Sequence, residues 1–325
     1  MMKLKFKIIF IFFIFLTKVT FVHAELIGNF VLNPENPEPF APVTITLSSY
    51  DFDVNSADIS WKIDGKTVST GPGLKQIKLT TNAVGTFNNV SVIAKLPDGQ
   101  VFQGTMNVSP SSVVLLWESP EAFVPPFYEG RSLPAEGSTV RVTALPQMMS
   151  YGKSVTPADI SYSWYRNDEY IESASGRGKQ AADISLEYLS DSTIIKVLAV
   201  APDGTKTSKD ITIYPHNILP IFYLYDPILG TDLTKAVTGR FETTKEFTLR
   251  LVPYFFSLNN GVGDTSSFSW NLDGLPIETE DSTTITLRPK ENAYGSKILS
   301  VALENTKRVL QNAKTDLNIV FDTRQ

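Results

Sequence analysis

The 325-residue sequence contains no cysteine and only two histidines. The absence of cysteine excludes disulfide bonds, thiolate metal ligands, a cysteine nucleophile and a lipid-modified cysteine. His23 lies in the first two dozen residues, so His216 is the only imidazole left if those residues are removed. Catalytic metal sites usually draw on several imidazoles or thiolates, and no Gly-x-Ser-x-Gly nucleophile motif is present. Composition leaves paired carboxylates for glycoside cleavage open, but no motif places two together, so we expect a protein that is not an enzyme.

Long apolar runs are also missing, apart from one near the start. Lys3, Lys5 and Lys7 precede the run from Ile8 to Leu16, and the small residue Ala24 follows a few positions later. This run is too short to span a bilayer, for which about 20 residues are needed. Its charged start and short apolar centre are typical of a signal peptide. We therefore predict a signal peptide over residues 1–24, export to the periplasm, cell surface or medium, and no transmembrane segment in the mature chain.

Positive charge is scarce once the predicted signal peptide is removed. Its loss takes four lysines from the 29 basic residues and no acidic residue from the 34, which leaves a net charge of −9. A distributed negative charge argues against binding to nucleic acid and to anionic membrane surfaces. The expected partners are proteins or glycans at the cell envelope.

The chain contains a diverged repeat of roughly 105 residues, a period typical of tandem domains. Trp61, Trp164 and Trp270 each stand near the end of a short strand with alternating polar and apolar residues. Alternation of this kind buries one face of a strand and leaves the other in water. The strands that accompany each tryptophan are short, β-branched and separated by turn residues, which predicts all-β sandwiches with the three indoles in their cores. We therefore predict three tandem sandwich domains, over residues 25–109, 110–215 and 216–325.

Two Asp-Gly turns support this prediction. Asp64-Gly65 and Asp273-Gly274 each follow a tryptophan by three residues. Asp-Gly readily adopts the positive φ angles of a two-residue hairpin, so each strand that carries a tryptophan should fold straight back. Before the last strand, the first two repeats have the turns Pro97-Asp98-Gly99 and Pro202-Asp203-Gly204. The third repeat has "LENTKRVLQ" (303–311) at this place instead.

The sequence around the first tryptophan resembles immunoglobulin-like and PKD-like domains. Trp61 with the following "KIDG", and "VGTFNNVSVIAKLPDG" over 84–99, carry the resemblance. Over the whole chain, "LLWESPEAFVPPFYEGRSLPAEGSTVRVTALP" (115–146) and "IFYLYDPILGTDL" (221–233) are similar to exported tandem Ig-like proteins of Patescibacteria. That resemblance implies an architecture and export rather than a reaction.

The stretch "SYDFDVNSADISW" holds the only candidate for a metal site. Asp51, Asp53 and Asn55 have the spacing that opens a calcium loop, and Asp58 follows. The glycine of the sharp turn and the bidentate glutamate at the loop's end are both missing. The favoured interpretation is therefore an Asx turn leading into a strand, with calcium as the alternative and no other cofactor expected.

Aromatic residues cluster at the start of the second predicted domain. Trp117, Phe127 and Tyr128 lie beside three prolines, where exposed rings could stack on a sugar or fill a partner's pocket. Similar aromatic residues recur at the start of the third domain, which favours the alternative that the rings pack over the open end of each sandwich.

Together these patterns predict a non-catalytic exported spacer or adhesion protein at the cell surface or envelope. Two alternatives remain open. One is an accessory or assembly factor of a surface appendage such as a pilus. The other is a non-catalytic carbohydrate-binding part of a glycan-active complex.

Overall fold

The structure, a computed structural model, describes residues 26–258, 266–279, 281–308 and 310–322. The predicted signal peptide lies outside the described residues. The prediction of an all-β chain with several antiparallel sheets is confirmed. No helix in the described ranges is long and apolar enough to cross a membrane.

The chain forms two compact units, each made of several stretches of sequence. The first unit comprises Met1–Asn33, Thr44–Leu79 and Asn88–Asn107, and the second comprises Pro34–Val43, Thr80–Phe87 and Val108–Gln325. Two loops that precede residue 108 in the sequence therefore belong to the second unit.

The first segment, residues 29–108, contains two antiparallel sheets. Its strands are β1 (Asn29–Asn33), β2 (Pro42–Ser48), β3 (Asp58–Ile63), β4 (Lys66–Pro72), β5 (Gln76–Thr80), β6 (Asn88–Lys95) and β7 (Val101–Val108). The strand orders are β1-β2-β5 and β4-β3-β6-β7. Alternation decides which side chains enter the core: β2 buries Val43, Ile45 and Leu47 and turns the threonines between them outward.

The middle segment, residues 112–213, repeats this arrangement and has additional short strands. Its strands are β8 (Ser112–Glu118), β9 (Thr139–Gln147), β10 (Met149–Ser150), β11 (Lys153–Ser154), β12 (Ser161–Arg166), β13 (Glu169–Tyr170), β14 (Gly176–Arg177), β15 (Ala181–Ser185), β16 (Thr193–Val200) and β17 (Lys206–Ile213). One sheet has the order β15-β9-β8; the other has β13-β12-β16-β17, with β14 also paired to β12. Both sheets contribute to one core, in which Val142 and Ile184 meet Trp164 and Val197.

The third segment, residues 219–322, has the longest strands. They are β18 (Leu219–Asp226), β19 (Gly230–Val237), β20 (Arg240–Thr243), β21 (Phe247–Tyr254), β22 (Ser266–Leu272), β23 (Leu275–Ile277), β24 (Thr284–Leu287), β25 (Tyr294–Asn305) and β26 (Asn312–Asp322). The sheets have the orders β19-β18-β21-β24 and β20-β26-β25-β22-β23, and β20 pairs with β26 in parallel.

The three tryptophans have the same environment in each segment. All are buried, with relative exposures of 0%, 0% and 3%, and each indole N–H donates to a backbone carbonyl shortly before the next strand. The pairs are Trp61 with Leu74 O at 2.7 Å, Trp164 with Lys179 O at 3.0 Å, and Trp270 with Ser282 O at 2.9 Å. A buried indole needs such an acceptor, so each ring both fills a core and holds a loop.

The turn after each tryptophan also recurs. Asp64 and Gly65 have φ values of 49° and 80°, and Asp273 and Gly274 have 51° and 80°, as a type I′ turn requires. In each segment, the side chain of the first residue of this turn accepts a hydrogen bond from a backbone N–H of a neighbouring strand. The pairs are Asp64 with Asn89, Asn167 with Ile194, and Asp273 with Ile298. The turn residue therefore binds two strands together as well as reversing the chain.

Candidate functional site

The Asp51–Asp58 stretch forms a hydrogen-bonded turn. Asp53 Oδ1 accepts the backbone N–H of Asn55 at 3.0 Å and its side-chain N–H at 3.1 Å. The Lys75 ammonium donates to Asn55 Oδ1 at 3.2 Å, and the Ile27 N–H donates to Asp51 Oδ2 at 2.9 Å. These contacts are those of an Asx turn, in which the oxygen atoms bond to the chain itself.

The backbone N–H of Asn55, the largest contribution, lowers the pKa of the exposed Asp53 carboxyl below its usual value. Among the described residues, no group of three or more His, Cys, Asp or Glu side chains could hold a metal ion. Calcium binding by Asp51, Asp53, Asn55 and Asp58 stays the alternative to the Asx turn.

The three predicted aromatic contact residues lie in different environments. Trp117, on β8, is half-buried against the core of the middle segment, and the Arg131 guanidinium lies 4.3 Å from its ring centroid. Tyr128 packs edge-on against Tyr254 at a centroid distance of 5.8 Å. Phe127 is fully exposed and has a φ of 65°. Only Phe127 presents its whole ring to solvent.

The packing partner of Tyr128 lies in the third segment. The loop that follows β8, residues 119–138, extends to the corner at residues 253–258, which connects β21 towards the tryptophan strand of the third segment. The Phe123 N–H donates to Phe256 O, and the Phe255 N–H donates to Phe123 O, both at 2.8 Å. The Leu258 N–H donates to Glu121 O at 2.8 Å. A short antiparallel pairing therefore connects the two segments, and we call this region the joint.

A buried polar cluster lies behind the joint. Ser138, Ser257, Asn305 and Gln311 are each no more than 6% exposed. The Ser257 N–H donates to Gln311 Oε1 at 3.1 Å, and Asn305 Nδ2 donates to Ser257 O at 2.9 Å. The hydroxyls of Ser138 and Ser257 are 2.9 Å apart. Because buried polar groups are costly without partners, this mutual arrangement defines one geometry for the joint.

Gln311 spans the joint. Its Nε2 donates to Glu136 O at 2.8 Å and to Ser138 Oγ at 3.1 Å, while its Oε1 accepts from Ser257. A single side chain therefore satisfies groups on both segments.

An ion pair closes the same region. The Arg308 guanidinium donates to the Glu121 carboxylate and to Gly137 O, and both charged side chains are largely shielded from solvent. Burial of an ion pair costs desolvation, so its main effect is to select this arrangement over others in which either charge would lack a partner.

His216, in the linker between β17 and β18, also contacts the loop after β8. Its backbone N–H donates to Pro134 O at 2.7 Å, and its Nδ1 lies 2.9 Å from Tyr214 O. The linker is therefore tied to the same loop, residues 119–138, that forms the joint.

The sequence pointed only indirectly to the residues of the joint. Asn305, Arg308 and Gln311 belong to "LENTKRVLQ", the stretch where the third repeat departs from the Pro-Asp-Gly turn of the others. That departure was the available signal, because a loop that merely reverses the chain has no need of three large polar side chains.

Comparison with known proteins gives fold resemblances of low similarity. No known protein family and no curated protein matches the chain. Similar solved structures are tandem arrays of Ig-like or fibronectin-III-like domains. Fibronectin(III)-like modules of CbhA from Clostridium thermocellum match with 15% identity and a TM-score of 0.30, covering 57% of this chain and 94% of theirs.

Two further structures match most of the chain. The three N-terminal domains of the Hoc capsid protein of bacteriophage RB49 match with 10% identity and a TM-score of 0.25, covering 93% and 99% of the two chains. The solved part of a 1.5-MDa bacterial ice-binding adhesin matches with 9% identity and a TM-score of 0.23, covering 92% of this chain and 99% of the solved one. At such TM-scores these likenesses carry no argument about function.

Proposed function

We propose that this protein is a non-catalytic, exported spacer or adhesion protein of the cell surface or envelope, built from three tandem Ig-like domains. Export rests on the predicted signal peptide, and the absence of catalysis rests on the lack of cysteine and the single histidine outside it. The proposal also draws on the resemblance, inferred from the sequence, to exported Ig-like proteins of Patescibacteria, for which the comparisons found no matching relative.

The joint is the observation that carries the proposal. A spacer must hold one domain in a defined orientation to the next, and a flexible linker alone cannot do so. Here a backbone ladder, a buried polar cluster and a shielded ion pair act together between the middle and third segments. Such a joint resists bending because any rotation leaves several buried polar groups without partners.

The structural part of this proposal is tested by Gln311→Ala. The substitution removes the acceptor of the Ser257 N–H and the donor to Glu136 O, and we expect a loss of about 1–3 kcal/mol of joint stability. Small-angle X-ray scattering should then report a broader distribution of sizes, and proteases should cleave the linker 214–218 faster. Gln103→Ala, on the exposed face of β7, is the matched control and should change neither measurement. An unchanged scattering profile for Gln311→Ala would contradict a spacer role for the joint.

The biological part is tested by fractionation. We expect the purified chain to be retained on cell-wall or partner-cell fractions and to cleave neither glycans nor peptides. Release into the medium without binding to either fraction would count against adhesion. Hydrolysis that disappears on changing one acidic residue, with stability unaltered, would identify an enzyme instead.

A further inference from the structure

The corner of the first segment has the same strand register as the corner at the joint. Pairing of β18 with β21 places Leu219 opposite Tyr254. Pairing of β1 with β2, continued by two residues, places Ile27 opposite Tyr50, and the Ser49 hydroxyl donates to Ile27 O at 2.6 Å there. Tyr50 and Tyr254 therefore occupy the same position in the repeat.

These two tyrosines differ in what covers them. Tyr254 packs against Tyr128 from the loop after β8 and hydrogen-bonds through its hydroxyl to Tyr223 at 2.9 Å. Tyr50 has a relative exposure of 101%, and Ile27 is 63% exposed. The corner at Ile27 and Tyr50 thus resembles the corner that the loop after β8 covers in the joint, but no described residue covers it.

The docking loop also has an equivalent in the third segment. Both loops begin at the same distance from the corner. Seven residues after Ser112 in β8 comes Ser119, and seven residues after Leu219 in β18 comes Asp226; a proline follows each of them. This count aligns Ser119-Pro120-Glu121-Ala122 with Asp226-Pro227-Ile228-Leu229. Glu121 and Phe123 make the backbone hydrogen bonds of the joint, and Ala122 lies between them opposite Ser257. Ile228 and Leu229 therefore occupy the positions of Glu121 and Ala122.

The loop after β1 can be aligned in the same way. Pro37 lies ten residues after Ile27, as Ala122 lies ten residues after Ser112, so Pro37 occupies the position of Ala122. Pro37 is buried, and its carbonyl accepts the Ser111 N–H at 3.2 Å, next to the start of the middle segment. The adjacent Glu38 carboxylate lies 3.4 Å from the Lys209 ammonium on β17. Two of the three equivalent loops therefore dock on the segment that follows them.

The third loop is a rigid, exposed tip. Ala122 is 7% exposed, whereas Ile228 and Leu229 are 92% and 87% exposed. Asp226 Oδ1 accepts the N–H groups of Ile228 at 2.7 Å and Leu229 at 2.9 Å, which holds the turn in one conformation. Two large apolar side chains are thus presented to water by a preorganised turn.

A groove of about 530 Å³ lies beside the tip. Leu224, Tyr225, Leu229 and Phe247 contribute to its walls. Asp226, Thr231, Asp232 and Thr248 complete the walls. A groove that is part apolar and part polar suits an amphipathic ring such as that of Tyr50, just as Tyr128 and Phe255 form an aromatic contact for Tyr254 at the joint.

We propose that the tip Asp226–Gly230 docks on the corner at Ile27 and Tyr50 of a second copy of this chain. A second copy is the expected partner because of the repeat. Within one chain, a loop of one segment docks on the next segment, and the exposed tip and the exposed corner are the loop and the docking surface that have no such partner among the described residues. The contact joins different surfaces of the two copies, so a pair held by one contact keeps one free tip and one free corner, to which further copies can add head to tail. This inference goes beyond the spacer role and does not depend on it.

Sedimentation equilibrium of the purified chain tests the proposal. The average mass should rise with concentration beyond that of a dimer. Ile228→Asp/Leu229→Asp disables the tip, and Tyr50→Asp disables the corner; each should weaken association about tenfold or more. Leu189→Asp, which changes a leucine that is 85% exposed on the middle segment, is the matched control and should associate like the unmodified chain.

Mixing the two variants distinguishes the head-to-tail contact from others. At a concentration where the unmodified chain just associates, each variant alone should remain mostly monomeric. An equimolar mixture should form dimers and nothing larger, because one intact tip and one intact corner remain. A tip-to-tip contact would not be restored by mixing, and that result would overturn the proposal. Association of the tip variant at the unmodified level, or a monomeric mass at every concentration, would also overturn it. Circular dichroism of both variants establishes that they fold.

Discussion

The corner of the first segment and the corner of the third segment are built alike but differ in their surroundings. Phe52 and Phe256, two residues beyond the equivalent tyrosines, are both buried, with exposures of 8% and 0%. Tyr50, however, is free in solvent, whereas Tyr254 is partly covered and bonded to Tyr223. Burial, followed by the hydrogen bond with Tyr223, raises the pKa of the Tyr254 hydroxyl above its ordinary value.

The difference shows that the burial of a side chain at a repeated position has one of two causes. The phenylalanine packs within its own segment, so it is buried in both the first and the third segment. The tyrosine is covered only where another segment supplies a loop, so its environment depends on the neighbour. Predictions can therefore be made separately for the two kinds of position.

The largest effect is expected where the two corners should behave alike. Phe256→Ala and Phe52→Ala should each lower the free energy of unfolding of its own segment by about 3–5 kcal/mol, because each leaves a cavity in a packed core. Urea unfolding followed by tryptophan fluorescence measures both. A cost below about 1 kcal/mol at Phe52 alone would break the equivalence of the corners.

A smaller effect is expected where the corners should differ. Tyr254→Ala removes a ring contact with Tyr128 and a hydrogen bond to the buried Tyr223, and should cost about 2 kcal/mol. Tyr50→Ala should change the stability of the monomer by no more than about 0.5 kcal/mol, because the side chain is fully exposed. The same unfolding measurement, made at low protein concentration, compares them. Equal losses at the two positions would contradict the assignment of Tyr50 as an uncovered docking residue.

The smallest effect concerns the acidic residues beside Tyr50. Melting curves recorded in millimolar calcium and in chelator should have equal midpoints, since the oxygen atoms of Asp51, Asp53 and Asn55 already bond within the chain. An ion that binds only the native state must raise its stability. A higher midpoint in calcium, lost in Asp53→Ala, would instead support the calcium alternative.

Much of the candidate site was outside the reach of sequence patterns. The aromatic cluster at residues 117–128 was predicted to cover the open end of its own sandwich, or else to contact a partner. The structure divides these roles: Trp117 packs on its own segment, Tyr128 covers the corner of the next one, and Phe127 is exposed. Local alternation reports which face of a strand is buried, but a loop has no such periodicity.

The elements themselves follow from the sequence alone. Alternating β-branched residues, three equally placed tryptophans and the turns after them determine extended strands that bury one face, because side chains alternate across a strand and an indole of that size must be removed from water. Only the tertiary structure decided which loops meet. Ser138 and Ser257 are 119 positions apart, and Glu121 and Arg308 are 187 apart. Their contact depends on the packing of two whole segments, since a buried hydrogen bond is favourable only once both partners have been brought together away from water.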